Sequence, residues 1–227
     1  MSQLAFDLPH RASNEGADFL VAEPNAAAVA MIDRWPHWPS HALALAGPAG
    51  AGKSHLAAVW QTRACARRLV PEAVAEALRR ASFEEAPAII LEDAPVALEA
   101  GRLAEADLLH LYNWVGERGG WLLLTARRSP ARWPVTLADL RSRLAAMPVA
   151  GIEGPDDDLL AAVLVKQLAD RQLIVAPNVV AFLLPRIERS FAAVREAVAA
   201  LDRESLRRGR AITVALAREV LTRHVPR

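Results

Sequence analysis

The feature that most constrains the fold of this 227-residue chain is a short glycine-rich segment, Gly47–Ser54. Its sequence, GPAGAGKS, fits the phosphate-binding loop pattern G-x-x-x-x-G-K-[ST]. An apolar, strand-like run over 41–46 precedes it, and a helix-like run over 55–61 follows it. A glycine-rich turn can match the pattern by chance, but the flanking runs supply the strand–loop–helix context that the motif needs. The segment therefore predicts an α/β fold with a phosphate site.

Each residue type in this loop suits phosphate binding. Glycine lets backbone N–H groups curve around a phosphate, because it adopts the required dihedral angles at little cost. The helix that follows directs its amino terminus at the same anion. Lys53 is expected to reach the β- and γ-phosphate oxygens, and Ser54 to hold Mg²⁺. The residues predicted to bind the nucleotide at this point are Gly47, Gly50, Gly52, Lys53, Ser54 and His55.

A second buried strand, predicted over 88–91, ends in two carboxylates, Glu92 and Asp93. Acids at the end of a buried strand downstream of a phosphate loop provide oxygen ligands for Mg²⁺ and orient the attacking water. Glu92 is expected to contact the metal together with Ser54, and Asp93 to orient the water. The alternative is a buried strand that merely ends in solvated acids.

Composition narrows the class of protein. Hydrophobic residues make up 53% and charged residues 23% of the chain, which is ordinary for a globular protein with a large core. The net charge of +1 argues against broad electrostatic capture of nucleic acid. The single cysteine, Cys65, excludes an internal disulfide and is interpreted as a packing residue in a reducing cytoplasm. No apolar run approaches the ~20 residues of a membrane span.

Further along the chain, strands are predicted over 121–125 and 147–152, and a weaker one near 69–70. Between the first two lies a helical segment that contains Arg141 and Arg143. The two arginines are two residues apart and point to different faces of the helix. An exposed arginine is usually just solvated. Its functional alternative is an arginine finger, which stabilises transition-state charge on the phosphate of a neighbouring molecule.

The chain is predicted to have three parts. Residues 1–16 form a tail, residues 17–152 an α/β domain in which Asn25 is the N-cap of the first helix, and residues 153–227 a small helical domain. The tail displays Leu4, Phe6 and Leu8 after Gln3, apolar residues that are expected to be buried either against the chain's own domain or against a partner, as in peptides that fold on binding. In the helical domain, Arg195 could face a nucleotide or simply pair with Glu188 or Glu196.

Taken in order, these parts resemble the AAA+ module of the bacterial initiator DnaA over about residues 17–224. The strongest matches are the phosphate loop and the run Leu140–Leu144. The resemblance implies an AAA+ P-loop NTPase base with a five-stranded parallel sheet, followed by an all-helical lid. It also implies that Asn25 lies near the adenine of ADP or ATP, that Arg143 is the arginine finger and that Arg195 is a lid sensor. The tail resembles the motif with which replication proteins bind the β sliding clamp, through Gln3, Leu4, Phe6 and Leu8.

Departures from the initiator favour the Hda family of DnaA-related regulators. We expect no DNA-reading domain after the lid, and therefore no sequence-specific DNA binding. Arg127 stands where the initiators have an aspartate and Glu92 where aspartate is usual, which predicts slow hydrolysis of the chain's own nucleotide. The resemblance implies a cytoplasmic negative regulator that stimulates ATP hydrolysis by DnaA, with homo-oligomers left open and no membrane role. The alternatives are an ATPase of the helicase-loader or clamp-loader type and another DnaA-related accessory factor.

Overall fold

The computed structural model describes residues 10–11, 19–80 and 87–224. The chain forms two compact units. One is an α/β unit of Arg11–Pro48 and Gly52–Glu153, and the other is a helical unit of Gly154–Arg227, with which Ala49–Ala51 are counted.

A parallel sheet of five strands is the centre of the α/β unit. Two short strands, β1 (His10–Arg11) and β2 (Phe19–Leu20), pair separately from it. The sheet strands in chain order are β3 (Ala42–Ala46), β4 (Arg67–Leu69), β5 (Ala88–Leu91), β6 (Trp121–Ala126) and β7 (Val149–Gly151). Their spatial order is β4-β5-β6-β3-β7, so β3 lies between β6 and β7. Because all neighbours run parallel, the carboxyl ends of the strands meet at one edge.

The central strands are continuous apolar runs because both faces of the sheet are covered. All five residues of β3 are buried, and Leu122–Leu124 of β6 are at most 1% exposed. Helices of the α/β unit pack on the sheet. They are α1 (Glu23–Asp33), α2 (Lys53–Ala64), α3 (Val74–Arg79), α4 (Ala94–Glu99), α5 (Glu105–Glu117) and α6 (Ala138–Ala146).

The helical unit has its own apolar core, built by α7 (Asp157–Asp170), α8 (Pro177–Leu183), α9 (Phe191–Arg208) and α10 (Val214–His224). Side-chain caps begin two of these helices: Asp156 accepts from the Leu159 N–H at 2.7 Å, and Ser190 accepts from the Ala193 N–H at 3.1 Å. α9 ends at Gly209, whose left-handed φ of 59° is favourable for glycine.

The predicted fold class is confirmed: a five-stranded parallel sheet with flanking helices, followed by a helical unit. Helix α4 was not predicted, because it follows Asp93 directly with no polar spacer to mark it. A local prediction is wrong. Cys65 is not a packing residue, since it is exposed in a left-handed turn (φ 49°) at the end of α2. In the part of the chain that the structure describes, no helix has the length and apolarity needed to cross a bilayer.

Candidate functional site

The glycine-rich loop connects β3 to α2 at the carboxyl edge of the sheet. Gly50 and Gly52 have φ values of 72° and 93°, a backbone conformation that residues other than glycine rarely adopt. Gly47 is required for a different reason, because a Cβ there would lie 2.3 Å from the backbone oxygen of Ile152. The loop thus reaches a shape that exposes the first N–H groups of α2, which have no intrahelical acceptor.

Lys53 lies inside this loop and is only 9% exposed. Its ammonium group donates to the backbone oxygens of Gly47 (2.8 Å) and Pro48 (2.7 Å). Burial lowers the pKa of Lys53, the nearby Asp93 carboxylate opposes that shift, and the Arg127 guanidinium adds to it. The ammonium group is therefore held by two carbonyl oxygens, which carry only partial negative charge. A bound phosphate would supply a full counter-charge.

Glu92 and Ser54 come together although they lie 38 positions apart in the sequence. The Ser54 hydroxyl donates to Glu92 Oε2 at 3.0 Å. The guanidinium of Arg68, from the neighbouring strand β4, contacts the other carboxylate oxygen of Glu92. Arg68 also donates to Gln61 Oε1 of α2 at 3.2 Å. The carboxylate predicted to approach a metal is thus already paired with a cation of the same chain.

Asp93 follows β5 in a left-handed backbone conformation (φ 47°). Its N–H donates to Thr125 Oγ1 at 3.0 Å, and Thr125 is buried near the end of β6. The Asp93 side chain itself is exposed. The ends of β5 and β6 are therefore joined directly by this hydrogen bond, and the Asp93 carboxylate stays accessible.

The donor set fits a nucleotide-bound Mg²⁺ better than a protein-only metal site. Among the described residues there is no group of three or more His, Cys, Asp or Glu side chains that could hold a metal ion. Ser54 Oγ and Glu92 Oε2 provide two oxygen ligands 3.0 Å apart. Mg²⁺ is usually held by one or two protein oxygens, with phosphate oxygens and water completing the octahedron.

Asn25 is not the N-cap of α1, contrary to the sequence prediction. The cap position is Ala22, and Asn25 is the third helical residue. Asn25 is 2% exposed, and its side chain forms hydrogen bonds to residues that precede it in the chain. Its Oδ1 accepts from the Ala22 N–H (3.0 Å), and its Nδ2 donates to the Leu20 oxygen (2.9 Å). The asparagine shapes the turn before α1, and contact with an adenine base remains a prediction.

Arg143 lies on α6, near the amino-terminal end of the central strand β3, which is the end opposite to the phosphate loop. Its guanidinium carbon is 5.5 Å from the Tyr112 ring centroid, and its Nε is 3.2 Å from Asp139 Oδ1. The Tyr112 ring packs 4.4 Å from the ring of His41, and the Tyr112 backbone oxygen is 3.1 Å from His41 Nε2. His41 precedes β3, whereas the phosphate loop follows it. The length of β3, ~17 Å for five residues, separates the two ends.

The remaining predicted site residues are not drawn into this site by the described contacts. Arg195 is exposed on α9 and makes no ion pair with any residue that the structure describes, so neither Glu188 nor Glu196 is its partner there. His55 is exposed to an intermediate degree in the first turn of α2. Gln3, Leu4, Phe6 and Leu8 lie outside the described residues.

Sequence reasoning missed two side chains that contact predicted site residues. Arg68 lies in a three-residue strand with a weak apolar signal, and only its charge next to a strand could have marked it. Tyr112 is 9% exposed in α5, and its ring also faces Arg143. Both contacts join segments distant in sequence and therefore depend on the fold.

Comparison with known proteins gives consistent findings. Residues 156–221 match the family model described as Hda, lid domain. The chain is 31% identical over 125 residues to the chromosomal replication initiator protein DnaA of Sphingopyxis alaskensis (strain DSM 13593 / LMG 18877 / RB2256), a match that covers 55% of the chain and 27% of that protein. The matched segment is thus only about a quarter of that relative's length.

Solved structures agree on the fold. Domain III of the Thermotoga maritima replication initiation protein DnaA superimposes with a TM-score of 0.76 at 18% identity, covering 92% of this chain and 95% of that one. AMPPCP-bound DnaA from Aquifex aeolicus gives a TM-score of 0.64 at 18% identity, covering 84% and 67%. At such identities the likeness shows the fold alone.

Proposed function

We propose that the chain is a DnaA-related AAA+ protein of the Hda type and a negative regulator of replication initiation, on the basis of the lid-domain match and the similarity to DnaA. In this proposal it binds an adenine nucleotide at its own phosphate loop and the β sliding clamp through Gln3, Leu4, Phe6 and Leu8. Arg143 then stimulates hydrolysis of the ATP held by DnaA. The clamp interaction rests on the sequence of the tail alone.

The observation that carries the proposal is the position of Arg143 relative to the chain's own phosphate loop. The guanidinium lies near Tyr112 and the amino-terminal end of β3, while Gly47–Ser54 follows the carboxyl-terminal end. An arginine side chain is too short to span that separation. Arg143 is also partly exposed, with 39% of its side chain accessible. These two features support a role for Arg143 at a phosphate on another molecule, where arginine fingers contribute ~10³–10⁵ in rate.

The chain's own site is better suited to holding a nucleotide than to hydrolysing it. Lys53, Ser54 and the loop N–H groups offer the contacts that phosphates require. Arg68 is paired with Glu92, and the charge of Arg127 reaches Lys53. Extra cations beside the acids disfavour a carboxylate-oriented water. These features support slow intrinsic turnover and a structural role for the nucleotide, with ADP as the resting ligand.

Ser54 and Glu92 are the residues that would hold Mg²⁺ with a bound nucleotide. When bound, the ion would neutralise phosphate charge and polarise the terminal phosphoryl group. The AMPPCP-bound DnaA relative supports an adenine nucleotide as the ligand. Asn25 is proposed to contact the base, and Arg195 is proposed to act as the lid sensor.

The decisive experiment measures ATP hydrolysis by DnaA in the presence of clamp-loaded DNA and this protein. Arg143→Ala should abolish the stimulation while leaving the affinity of the protein for ADP unchanged. Arg141→Ala is the matched control, because this exposed arginine lies two residues away on the same helix. Equal stimulation by Arg143→Ala and the unmodified protein would refute the role of Arg143.

The same assay without DnaA separates the proposal from a helicase-loader or clamp-loader ATPase. A loader would turn over ATP unaided, and its activity would fall with Lys53→Ala. The proposed regulator would show little turnover alone. Replacing Gln3 and Phe6 with alanine should remove clamp binding, measured by surface plasmon resonance against immobilised clamp. Retained clamp binding would show that the tail is not the clamp-binding segment.

A further inference from the structure

A second concave site lies in the α/β unit, beyond the phosphate loop. It is a cavity of about 540 Å³ between α4 and the loop that follows β6. Its volume is within the range of small-molecule sites. The lining residues are Pro95, Val96, Glu99, Arg127, Arg128, Arg132, Trp133 and Pro134.

The cavity carries an excess of positive charge. Three arginines against one glutamate give it a net charge of +2. Arg127, Arg128 and Arg132 are all exposed, and none forms an ion pair or side-chain hydrogen bond within the part of the chain that the structure describes. Most other described arginines of the α/β unit have such a partner, as Arg63 has Asp33 and Arg102 has Glu72. Guanidinium groups that line one cavity and form no ion pair favour an external anion.

The loop that presents these arginines is held in place. Trp133 is 6% exposed, and its indole N–H donates to the Arg128 backbone oxygen at 3.0 Å. The Arg132 N–H donates to the Ser129 oxygen at 2.9 Å within a short 3-10 turn that begins at the buried Pro130. A loop ordered in advance loses less conformational entropy when a ligand binds.

We propose that this cavity binds a small anion that carries two or more phosphate groups. The net charge of +2 is matched by a ligand with at least two negative charges, and guanidinium groups bind phosphate oxygens in bidentate fashion. A polynucleotide is disfavoured, since the arginines line one compact cavity rather than an extended stripe and the whole chain carries a net charge of only +1. The site is additional to the nucleotide site of the proposed function, although Arg127 lies close enough to affect Lys53.

Isothermal titration calorimetry with sodium tripolyphosphate tests this assignment, with inorganic phosphate and oligo(dT) as comparison ligands. The protein is first saturated with ADP and Mg²⁺, so that the phosphate loop is filled. A parallel titration uses Lys53→Ala, in which the phosphate loop lacks the lysine that would bind phosphate oxygens. The test variant is Arg128→Gln/Arg132→Gln. The control is Arg118→Gln/Arg186→Gln, which removes the same charge from exposed arginines that lie on aromatic rings elsewhere.

Tripolyphosphate should bind both the ADP-saturated protein and Lys53→Ala, and the cavity variant should weaken that binding by about tenfold or more. The control variant should bind as the unmodified protein does. The proposal is overturned if tripolyphosphate binds only through the phosphate loop, if both double variants lose affinity equally, or if oligo(dT) binds more tightly at the same arginines. Thermal melts of both variants verify folding, and the single substitutions replace a double variant that does not fold.

Discussion

The guanidinium of Arg68 contacts Oε1 of Glu92, the carboxylate oxygen that Ser54 does not contact. Arg68 comes from β4 and Glu92 follows β5, so the contact depends on the parallel pairing of these two strands. The acid that a nucleotide-bound metal would approach is therefore shared with a resident cation.

Removal of Arg68 should activate the chain's own site. In Arg68→Ala, Glu92 is free to approach a metal-bound water, and we expect intrinsic ATP turnover to rise on the order of threefold to tenfold. The dependence of nucleotide affinity on Mg²⁺ should increase in parallel, measured by fluorescence titration with and without EDTA. Arg67→Ala on the same strand is the control. Unchanged turnover together with unchanged Mg²⁺ dependence would show that Arg68 does not shield Glu92.

Tyr112 should position Arg143. A guanidinium over an aromatic ring gains ~0.5–1 kcal/mol at a partly exposed site. Tyr112→Leu keeps the site apolar but removes the ring, and should reduce stimulation of DnaA by about two- to fivefold while ADP affinity stays constant. Tyr112→Phe keeps the ring and should behave like the unmodified protein in the same hydrolysis assay. A loss of stimulation in Tyr112→Phe as large as in Tyr112→Leu would contradict a role for the ring.

His41 should make the α/β unit sensitive to acid. Burial lowers the pKa of His41 below 6.5, the hydrogen bond to the Tyr112 oxygen opposes this shift, and the charge of Arg143 adds to it. The unfolded chain then binds a proton more readily than the folded one. The contribution of neutral His41 to the free energy of unfolding is therefore complete above pH 6.5, and it is lost as the pH falls through the lowered pKa of the folded protein.

Urea denaturation at several pH values measures this effect. The free energy of unfolding should fall more steeply below pH 6.5 in the unmodified protein than in His41→Gln, which cannot take up a proton. Parallel curves for the two proteins would mean that other groups cause the acid sensitivity.

Gly47 should resist substitution because of space rather than backbone conformation. A Cβ at Gly47 would lie 2.3 Å from the Ile152 oxygen, a backbone atom that cannot move aside cheaply. Gly47→Ala should therefore destabilise the protein by ~1–3 kcal/mol and shift the loop. Gly151→Ala, next to Ile152 in open space, should have little effect. Thermal denaturation compares the two, and equal stability would show that the loop can relax.

Much of the fold could be predicted because its signals are local. The loop Gly47–Ser54 dictates a strand before it and a helix after it, and the apolar runs 88–91 and 121–125 can only be buried strands. The helical unit is predicted by apolar residues that recur at helical spacing. Helix α4 could not be predicted in this way, since its six residues carry no complete helical repeat.

The amino-acid sequence by itself determined the phosphate loop, the strand-end acids and the arginines, because each depends on residue types within a few positions of one another. Only the tertiary structure decided their partners. Arg68 meets Glu92 through strand pairing, Asn25 turns back onto Leu20, and Arg143 lies on Tyr112 at the end of β3 remote from the loop. Such contacts join residues far apart in the chain, and the packing of strands and helices, rather than local preference, brings those residues within reach.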